Sequence, residues 1–214
     1  MKTMILFKTM LFSVLLFNLP TKAGAQTMKQ EELDKRVLQF LKDKQQQWHN
    51  LNVPYADGQL LHDLIIKNNY QSALEIGTST GHSTVWIAWA LSKTGGKLTT
   101  IELNKERQRE AIENLKTIGL SHIVEFKLGD AHQVVKEVKG PFDFVFSDAD
   151  KDWYIQYFKD IDPKLKKGGT FTAHNVLQSI SGISEYLDFL SQQSSYETTI
   201  DKTSRSGIAI SRKK

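Results

Sequence analysis

The 214-residue chain has no cysteine and no apolar run of the roughly 20 residues that a membrane-spanning helix needs. The first absence excludes disulfides and a lipid-modified cysteine, and the second argues against an integral membrane protein. The excess of basic over acidic residues is small as well. Three of the 28 basic residues and none of the 24 acidic ones lie in residues 1–25, which leaves 25 against 24 and a net charge of +1 for the rest. That balance does not favour a nucleic-acid partner.

Residues 1–25 have the pattern of a cleaved secretory signal. A lysine-bearing start is followed by an apolar stretch at 9–19, then Pro20 and the small-residue site 23–25 before Gln26. A periplasmic or secreted location is therefore expected. Translation from Met28 is the alternative, and it would give a cytoplasmic chain of 214 less 27, or 187, residues. Residues 26–214 are predicted to form one domain, with a helical extension at about 30–68 and a core at about 70–214.

The core alternates short apolar segments with amphipathic ones, which predicts a parallel sheet with helices on both faces. Strands are predicted at 72–76, 97–101, 122–127, 142–147 and 170–174, and helices at about 82–92, 104–118, 131–138, 152–164 and 181–193. Segments 196–201 and 206–211 are separated by only about four residues, too few for a crossover helix, so they must pair as an antiparallel hairpin. Before the core we predict a polar helix from Gln30 to Trp48, an Asp57-Gly58 turn and a second helix.

The segment from Ser72 to Ser83 is an apolar strand, a glycine-spaced turn and the start of a helix. Gly77 lets the chain leave the strand, and Gly81 lets the backbone approach a ligand whose anionic group faces the helix amides. Glu75, just before the turn, can accept from an ammonium group or order the loop. The pattern predicts a pocket for an adenosyl cofactor; an ordinary strand-to-helix turn is the alternative.

A nicotinamide cofactor is disfavoured, because GxGxxG anchored on Gly77 would need glycine at Ser79 and His82. Glu102 ends the second predicted strand, where an acid can accept from both ribose hydroxyls. Its alternative is a solvated acid at a helix start. The acidic run at 148–152 follows the fourth strand and is either part of the ligand edge of the sheet or a solvated loop.

Together these residues resemble the class I S-adenosylmethionine-dependent O-methyltransferases of the catechol and caffeoyl-CoA group, from roughly Asn52 to the C-terminus. The motifs that carry the resemblance are Asp57-Gly58-Gln59, Leu74 to Ser83, Ile101-Glu102, Gly129-Asp130-Ala131, Phe142 to Lys151, and Asn175. The resemblance implies a Rossmann-like, seven-stranded, mostly parallel sheet whose last strand runs antiparallel. It also suggests a homodimer, with helix 30–48 either at the contact or freely solvated.

The resemblance implies S-adenosyl-L-methionine as the cofactor, with Ser83 bonding its carboxylate and adenine lying near Asp130 and Ala131. His132, considered alone, is a surface or capping histidine. The expected cofactor-binding residues are Val53, Glu75, Gly77, Ser79, Gly81, Ser83, Glu102, Asp130, Ala131 and Asp148.

In the family a divalent cation binds both oxygens of a vicinal diol, and a nearby lysine is the base. Asp148 and Lys151 match the catalytic positions, and Asp148, His174 and Asn175 match the metal ligands. The family pattern has Asp-Asn where this chain has His174-Asn175. Imidazole suits manganese or zinc better than magnesium, so the change either alters the metal preference or weakens the site.

The expected activity is methyl transfer to a hydroxyl of a small, aromatic or catechol-like acceptor, assisted by a divalent cation. Ser206 stands where the catechol enzymes place a glutamate, which argues against catechol itself. Two alternatives stay open: an S-adenosylmethionine-binding or sensing protein, and a methyltransferase that works without a metal. A nicotinamide oxidoreductase is the third and least favoured class.

Overall fold

The computed structural model describes residues 22–45, 48 and 52–214, with side chains from residue 29 onward. One seven-stranded sheet has the order β3-β2-β1-β4-β5-β7-β6, in which β7 alone runs antiparallel to its neighbours. The strands are β1 Ser72–Ile76, β2 Lys97–Glu102, β3 Val124–Leu128, β4 Phe142–Ser147, β5 Leu165–His174, β6 Tyr196–Asp201 and β7 Ile208–Lys213. This arrangement confirms the fold class and the terminal hairpin.

Helices cover both faces of the sheet, as the alternating pattern predicted. The helices of the described residues are α1 Lys22–Lys44, α2 Tyr55–Asn68, α3 His82–Thr94, α4 Lys105–Ile118, α5 Ala131–Glu137, α6 Tyr154–Ile161 and α7 Ile183–Ser191. On one face, α5, α6 and α7 bury residues such as Tyr157 and Tyr186 against β4 and β5. On the other face α2 and α3 pack on the sheet, and α1 and α4 pack against α3. The central strands β1 and β4 and the second half of β5 are therefore buried on both sides, which explains their mostly apolar sequences.

The predicted Asp57-Gly58 turn is wrong, because both residues lie buried inside α2. Gly58 is needed for helix packing: a Cβ there would overlap the indole ring of Trp86 on α3. Pro54 precedes the helix, where its fixed φ is tolerated and its missing amide hydrogen costs nothing. A glycine that permits close approach of two helices has the same local sequence signature as a turn glycine.

Strand β5 begins at Leu165, five residues before the predicted start, so residues 167–169, with their two consecutive glycines, lie within the strand as an irregularity. Gly168 has φ of +80° there, and the register with β4 shifts between Phe142 and Phe144. Helix α1 runs from Lys22 to Lys44 rather than from Gln30 to Trp48. Residues 1–21 of the predicted signal, and residues 46 and 47, lie outside the described residues.

The order of the strands determines at which edge of the sheet a ligand can bind. Strand β1 lies between β2 and β4, so the chain crosses over to opposite sides of β1, and a crevice forms at the carboxyl ends of these strands. Apart from Val53, every residue predicted to bind cofactor or metal lies at the end of one of the five parallel strands β1 to β5 or in the segment that follows it. Over the described ranges, no helix combines the length and the apolar character needed to cross a membrane.

Candidate active site

A cavity of about 750 Å³ opens at the carboxyl ends of the parallel strands. Its volume falls in the roughly 300–1,000 Å³ range of small-molecule pockets. Each strand from β1 to β5 supplies part of the wall. The lining includes Gly77 and Ser79 after β1, Glu102 and Leu103 at β2, Asp130 to His132 after β3, Asp148 to Lys151 after β4, and His174 and Asn175 at β5.

Most of the predicted site residues line this one cavity. Of the predicted cofactor-binding set, those at the wall are Gly77, Ser79, Ser83, Glu102, Asp130, Ala131 and Asp148, together with the predicted catalytic Lys151. Val53, Glu75 and Gly81 are not among the lining residues. Val53 belongs to the apolar core, and Gly81 packs its Cα against Ala111 of α4. These three residues support the pocket wall from behind.

The turn after β1 has the backbone conformation that its glycines predicted. Gly77 and Gly81 have φ of +102° and +95°, values that residues with a side chain rarely adopt. A Cβ on Gly77 would also lie 2.9 Å from the carbonyl oxygen of Asp148. Between them Ser79 has φ of +49° and donates its amide to Glu102 Oε2 at 2.7 Å. The turn is therefore fixed in shape and joined directly to the end of β2.

Glu75 is fully buried and accepts three side-chain hydroxyls. Ser83 donates to Oε1 at 2.6 Å, and Thr84 and Thr100 donate to Oε2, each at 2.6 Å. Burial raises the pKa of Glu75 to about 7, although the three hydroxyls favour the charged form. Of the two predicted roles, the geometry supports ordering of the loop, because all three donors come from the protein.

Glu102 has a carboxylate at the cavity wall with only 7% of the residue exposed, so it is not a solvated helix-start acid. Besides the Ser79 amide, it accepts the Asn104 amide on Oε1 at 2.9 Å. Each carboxylate oxygen can accept more than one hydrogen bond, so both keep capacity for ligand hydroxyls. The structure therefore places an ionisable acceptor beside the β1 turn, where it was predicted.

His132 stacks on Trp153, with ring centroids 3.9 Å apart and planes inclined by 18°. Its Nε2 lies 3.1 Å from Asp150 Oδ2, and its backbone amide donates to Asp130 Oδ1 at 2.9 Å. Asp130, not His132, caps α5. His132 lines the cavity near the end of β3, and Trp153 holds its ring from behind. Sequence reasoning missed this stacking, because Trp153 comes from a 3₁₀ turn that follows another strand.

His174, at the end of β5, lies between two carboxylates. Its Nδ1 is 3.1 Å from Asp148 Oδ2, and its Nε2 is 2.8 Å from Asp57 Oδ2. Burial lowers the pKa of His174, but the two carboxylates raise it further, to about 9. Burial likewise opposes ionisation of Asp148, yet its pKa lies below the usual value because His174 and Lys151 stabilise the carboxylate. Lys151 Nζ donates to Asp148 Oδ1 at 2.8 Å and to the Ala149 carbonyl at 3.0 Å.

This arrangement does not fit a divalent cation. A histidine ligand needs a free lone pair on one ring nitrogen, and here both nitrogens face carboxylate oxygens. Each Asp148 carboxylate oxygen is bonded to a cationic side chain. In the part of the chain that the structure describes, no group of three or more His, Cys, Asp or Glu side chains is placed to hold a metal ion. The predicted ligand set Asp148, His174 and Asn175 is therefore not supported.

The far end of the cavity, beyond His174, is lined by residues of mixed polarity. Ser206 is buried, and Gln178 donates to its hydroxyl at 3.4 Å. Pro54 and Ile180 add apolar surface at the same cavity. This end carries no acidic side chain equivalent to the glutamate expected of catechol enzymes, consistent with the reading of Ser206 from the sequence.

The strand order, the antiparallel last strand and a pocket at the crossover point define a Rossmann-like methyltransferase fold. The chain matches the O-methyltransferase family over residues 26–193 and belongs to that family. It is 35% identical over 136 residues to caffeoyl-CoA O-methyltransferase 2 of Petunia hybrida, covering 61% of this chain and 56% of that protein. The chain thus spans about half the length of the curated relatives it matches.

Solved structures give the same picture. An O-methyltransferase of Streptomyces achromogenes involved in tomaymycin synthesis, in complex with SAM, matches with a TM-score of 0.68 and 26% identity over 85% of this chain and 88% of that one. The O-methyltransferase of Bacillus cereus in complex with SAH has a TM-score of 0.74 at 24% identity, over 84% and 91% of the two chains. At 24% identity, the similarity to the Bacillus cereus structure supports the fold alone.

The buried Glu75 predicts a specific dependence of stability on pH. Its folded-state pKa of about 7 lies above the ordinary 4.5, so its contribution is fully present below pH 4.5 and is lost as the pH rises through 7. In Glu75→Gln this loss is absent. We expect the stability of the native protein relative to the variant to fall by about 2 to 3 kcal/mol between pH 5 and pH 8, measured by urea unfolding.

Glu110→Gln is the matched control, because Glu110 is exposed on α4. Its difference from the native protein should stay constant over the same pH range. Parallel pH profiles for the native protein and Glu75→Gln would contradict a raised pKa at Glu75.

Proposed function

We propose that this protein transfers a methyl group from S-adenosyl-L-methionine to a hydroxyl of a small aromatic acceptor. The observation that carries the proposal is the Glu102 carboxylate, which lies at the cavity wall and is bonded to the glycine turn through Ser79. Membership of the O-methyltransferase family and the SAM-bound Streptomyces relative support it. S-adenosyl-L-methionine consists of a ribose, an amino-acid end and an adenine, and each could lie against a different part of the cavity wall.

Three segments of the chain would each bind one part of the cofactor. Glu102 would accept the ribose hydroxyls, and the backbone between Gly77 and Ser83 would lie along the amino-acid end. His132, held by its stacking on Trp153, would border the adenine side next to Asp130. When bound, the cofactor supplies an electrophilic methyl group on a sulfonium cation.

The reaction forms an oxygen–carbon bond, breaks the carbon–sulfur bond and releases the proton of the acceptor hydroxyl. The chain must hold the acceptor oxygen in line with the methyl group and remove that proton. We propose that Lys151 is the base that removes this proton. Its Nζ is held at the cavity wall by Asp148. Because an ammonium has no lone pair to accept a proton, Lys151 serves as a base only after releasing its own proton to solvent. No step is assigned to a divalent cation, since the expected ligands do not fit one.

The acceptor is proposed to be a phenolic compound other than catechol. The curated relatives are named caffeoyl-CoA O-methyltransferases, which supports a phenolic hydroxyl. Ser206 and Gln178 offer neutral hydrogen-bonding groups at the acceptor end, and Ile180 and Pro54 offer apolar contact. A neutral, part-apolar mouth suits an aromatic ring that carries polar substituents.

A second candidate function is an S-adenosylmethionine-binding protein without turnover. It is favoured by one observation: the two groups expected to act on the acceptor, Asp148 and Lys151, are bonded to each other. The two candidates share the same cofactor pocket and differ only in methyl transfer.

Glu102→Gln should weaken S-adenosylmethionine binding by about tenfold to a hundredfold, because hydrogen bonds to a charged acceptor contribute about 1.5–3 kcal/mol. Isothermal titration calorimetry on the full chain measures this. Glu106→Gln is the matched control, since Glu106 is exposed in the first turn of α4. Absence of cofactor binding by the native protein would refute both candidate functions.

Methyl transfer to a panel of phenols and vicinal diols separates the two candidates. With the native protein we expect transfer of labelled methyl to at least one acceptor, and with Lys151→Met a fall of about a hundredfold or more because the base is removed. Lys159→Met, an exposed position on α6, should behave like the native protein. Tight cofactor binding with no transfer to any acceptor would favour the binding protein.

We propose that the chain is exported after cleavage between Ala25 and Gln26. The family match begins at residue 26, the first residue after that site, which supports the boundary. Mass spectrometry of the chain made from its full coding sequence should give an N-terminus at Gln26. An N-terminus at Met28 would instead support the cytoplasmic alternative.

A further inference from the structure

The His174 imidazole joins three distant parts of the chain at the acceptor end of the cavity. Through its two nitrogens it contacts Asp57 on α2 and Asp148 after β4, at 2.8 and 3.1 Å. Asp57 is 1% exposed and also accepts the Ser204 hydroxyl at 2.8 Å. A cluster this enclosed has little room for water to screen its charges.

The contacts of His174 bear on the charge of its ring. An ionised carboxylate only accepts hydrogen bonds, so a ring nitrogen that faces one must donate. Both His174 nitrogens lie within hydrogen-bond distance of carboxylate oxygens, so the ring carries two N–H groups and a positive charge when both carboxylates are ionised. Lys151 adds a second cation on the other oxygen of Asp148. The two carboxylates and the two cations balance.

The charge of residue 174 in this chain can be compared with its charge in the metal-dependent family pattern that the sequence resembles. That pattern has an aspartate at position 174, whereas this chain has a histidine, which is cationic when both of its nitrogens donate to Asp57 and Asp148. Replacing a charge of −1 by +1 changes the local charge by +2, the charge of one divalent cation. The added positive charge also lies beside the place expected for that cation, because residue 174 is itself one of the expected ligands.

We propose that the His174 side chain, held between Asp57 and Asp148, takes the electrostatic place of the divalent cation and makes methyl transfer by this protein independent of metal. The inference rests on the proposed function. His174 acts as a positioning residue: it fixes Asp148, which holds Lys151, and it supplies positive charge at the cavity wall where an acceptor oxyanion would form. A cation entering from solution would have to break the histidine–carboxylate contacts and would meet a positively charged ring.

The first test uses the native chain after treatment with EDTA. We expect the transfer rate to change by less than about twofold on adding magnesium, manganese or zinc, and calorimetry to show no stoichiometric metal binding to the cluster. One equivalent of bound metal that disappears in Asp148→Asn, or activity restored only by metal, would overturn the inference. S-adenosylmethionine binding is measured on the same sample, so failure of the proposed function appears separately as loss of cofactor binding.

The second test restores the oxygen ligand. His174→Asp should bind manganese at least about tenfold more tightly than the native chain, raise its melting temperature when manganese is added, and transfer methyl only in its presence. His122→Asp is the matched control, since His122 is exposed in the 3₁₀ turn before β3. A purely structural role for His174 would lower stability without creating this metal dependence.

His174→Asp places three acids together and could unfold the chain in the absence of metal. The double variant Asp57→Asn with His174→Asp removes one of these acids and provides the same readout. Equal manganese affinity in the native chain and in a folded position-174 variant would show that His174 does not stand in for the cation.

Discussion

The buried carboxylate of Glu75 is the constraint on which the pocket depends. A charged or polar group without partners costs several kcal/mol in a protein interior, so its oxygens must be satisfied. The three hydroxyls that satisfy them belong to Ser83 and Thr84 at the start of α3 and to Thr100 on β2. The helix start and the neighbouring strand are thereby fixed to the end of β1. The glycine turn lies between these fixed points, so its path along the cavity is held as well.

A second buried connection closes the acceptor end. Asp57 and His174 are 117 residues apart in sequence, yet their side chains meet between α2 and the end of β5. Ser204, from the connection between β6 and β7, bonds to the same Asp57 oxygen and also accepts the amides of Ser206 and Gly207. The helical extension therefore helps build the site instead of only covering the sheet. Breaking one partner of such a buried pair leaves an uncompensated charge, so the three segments hold one another in place.

The sequence was sufficient for the parts of the fold that local pattern determines. Apolar segments placed β1 and β4 at their observed bounds, and the helix predicted at about 104–118 is α4, Lys105–Ile118. Local pattern failed where a residue serves a tertiary contact. Gly58 has the signature of a turn but accommodates Trp86, and the irregular start of β5 reflects its pairing with β4.

The same distinction applies to the site. Position after a strand correctly placed Glu102, Asp148 and His174 around one cavity, because carboxyl ends of parallel strands share an edge. The partners of these residues could not be derived that way. Nothing near His174 in sequence indicates Asp57, and nothing near His132 indicates that Trp153 stacks on it. The interpretation of His174 as a metal ligand was based on its residue type, whereas its contacts in the structure include Asp57 of α2, which is distant in sequence.

The order of the strands also separates the charges in the cavity. Glu102 and Asp130 lie at the ends of β2 and β3 on one side of β1, whereas the basic side chains His174 and Lys151, both paired with Asp148, lie at the ends of β5 and β4 on the other. Methyl transfer from a sulfonium to an oxyanion cancels opposite charges, so a useful site holds anionic groups near the donor and cationic groups near the acceptor before the reaction begins. Because each group is fixed by the sheet or by a buried hydrogen bond, this polarity needs no rearrangement when the ligands bind. The placement of these groups on opposite sides of β1 follows from the order of the strands.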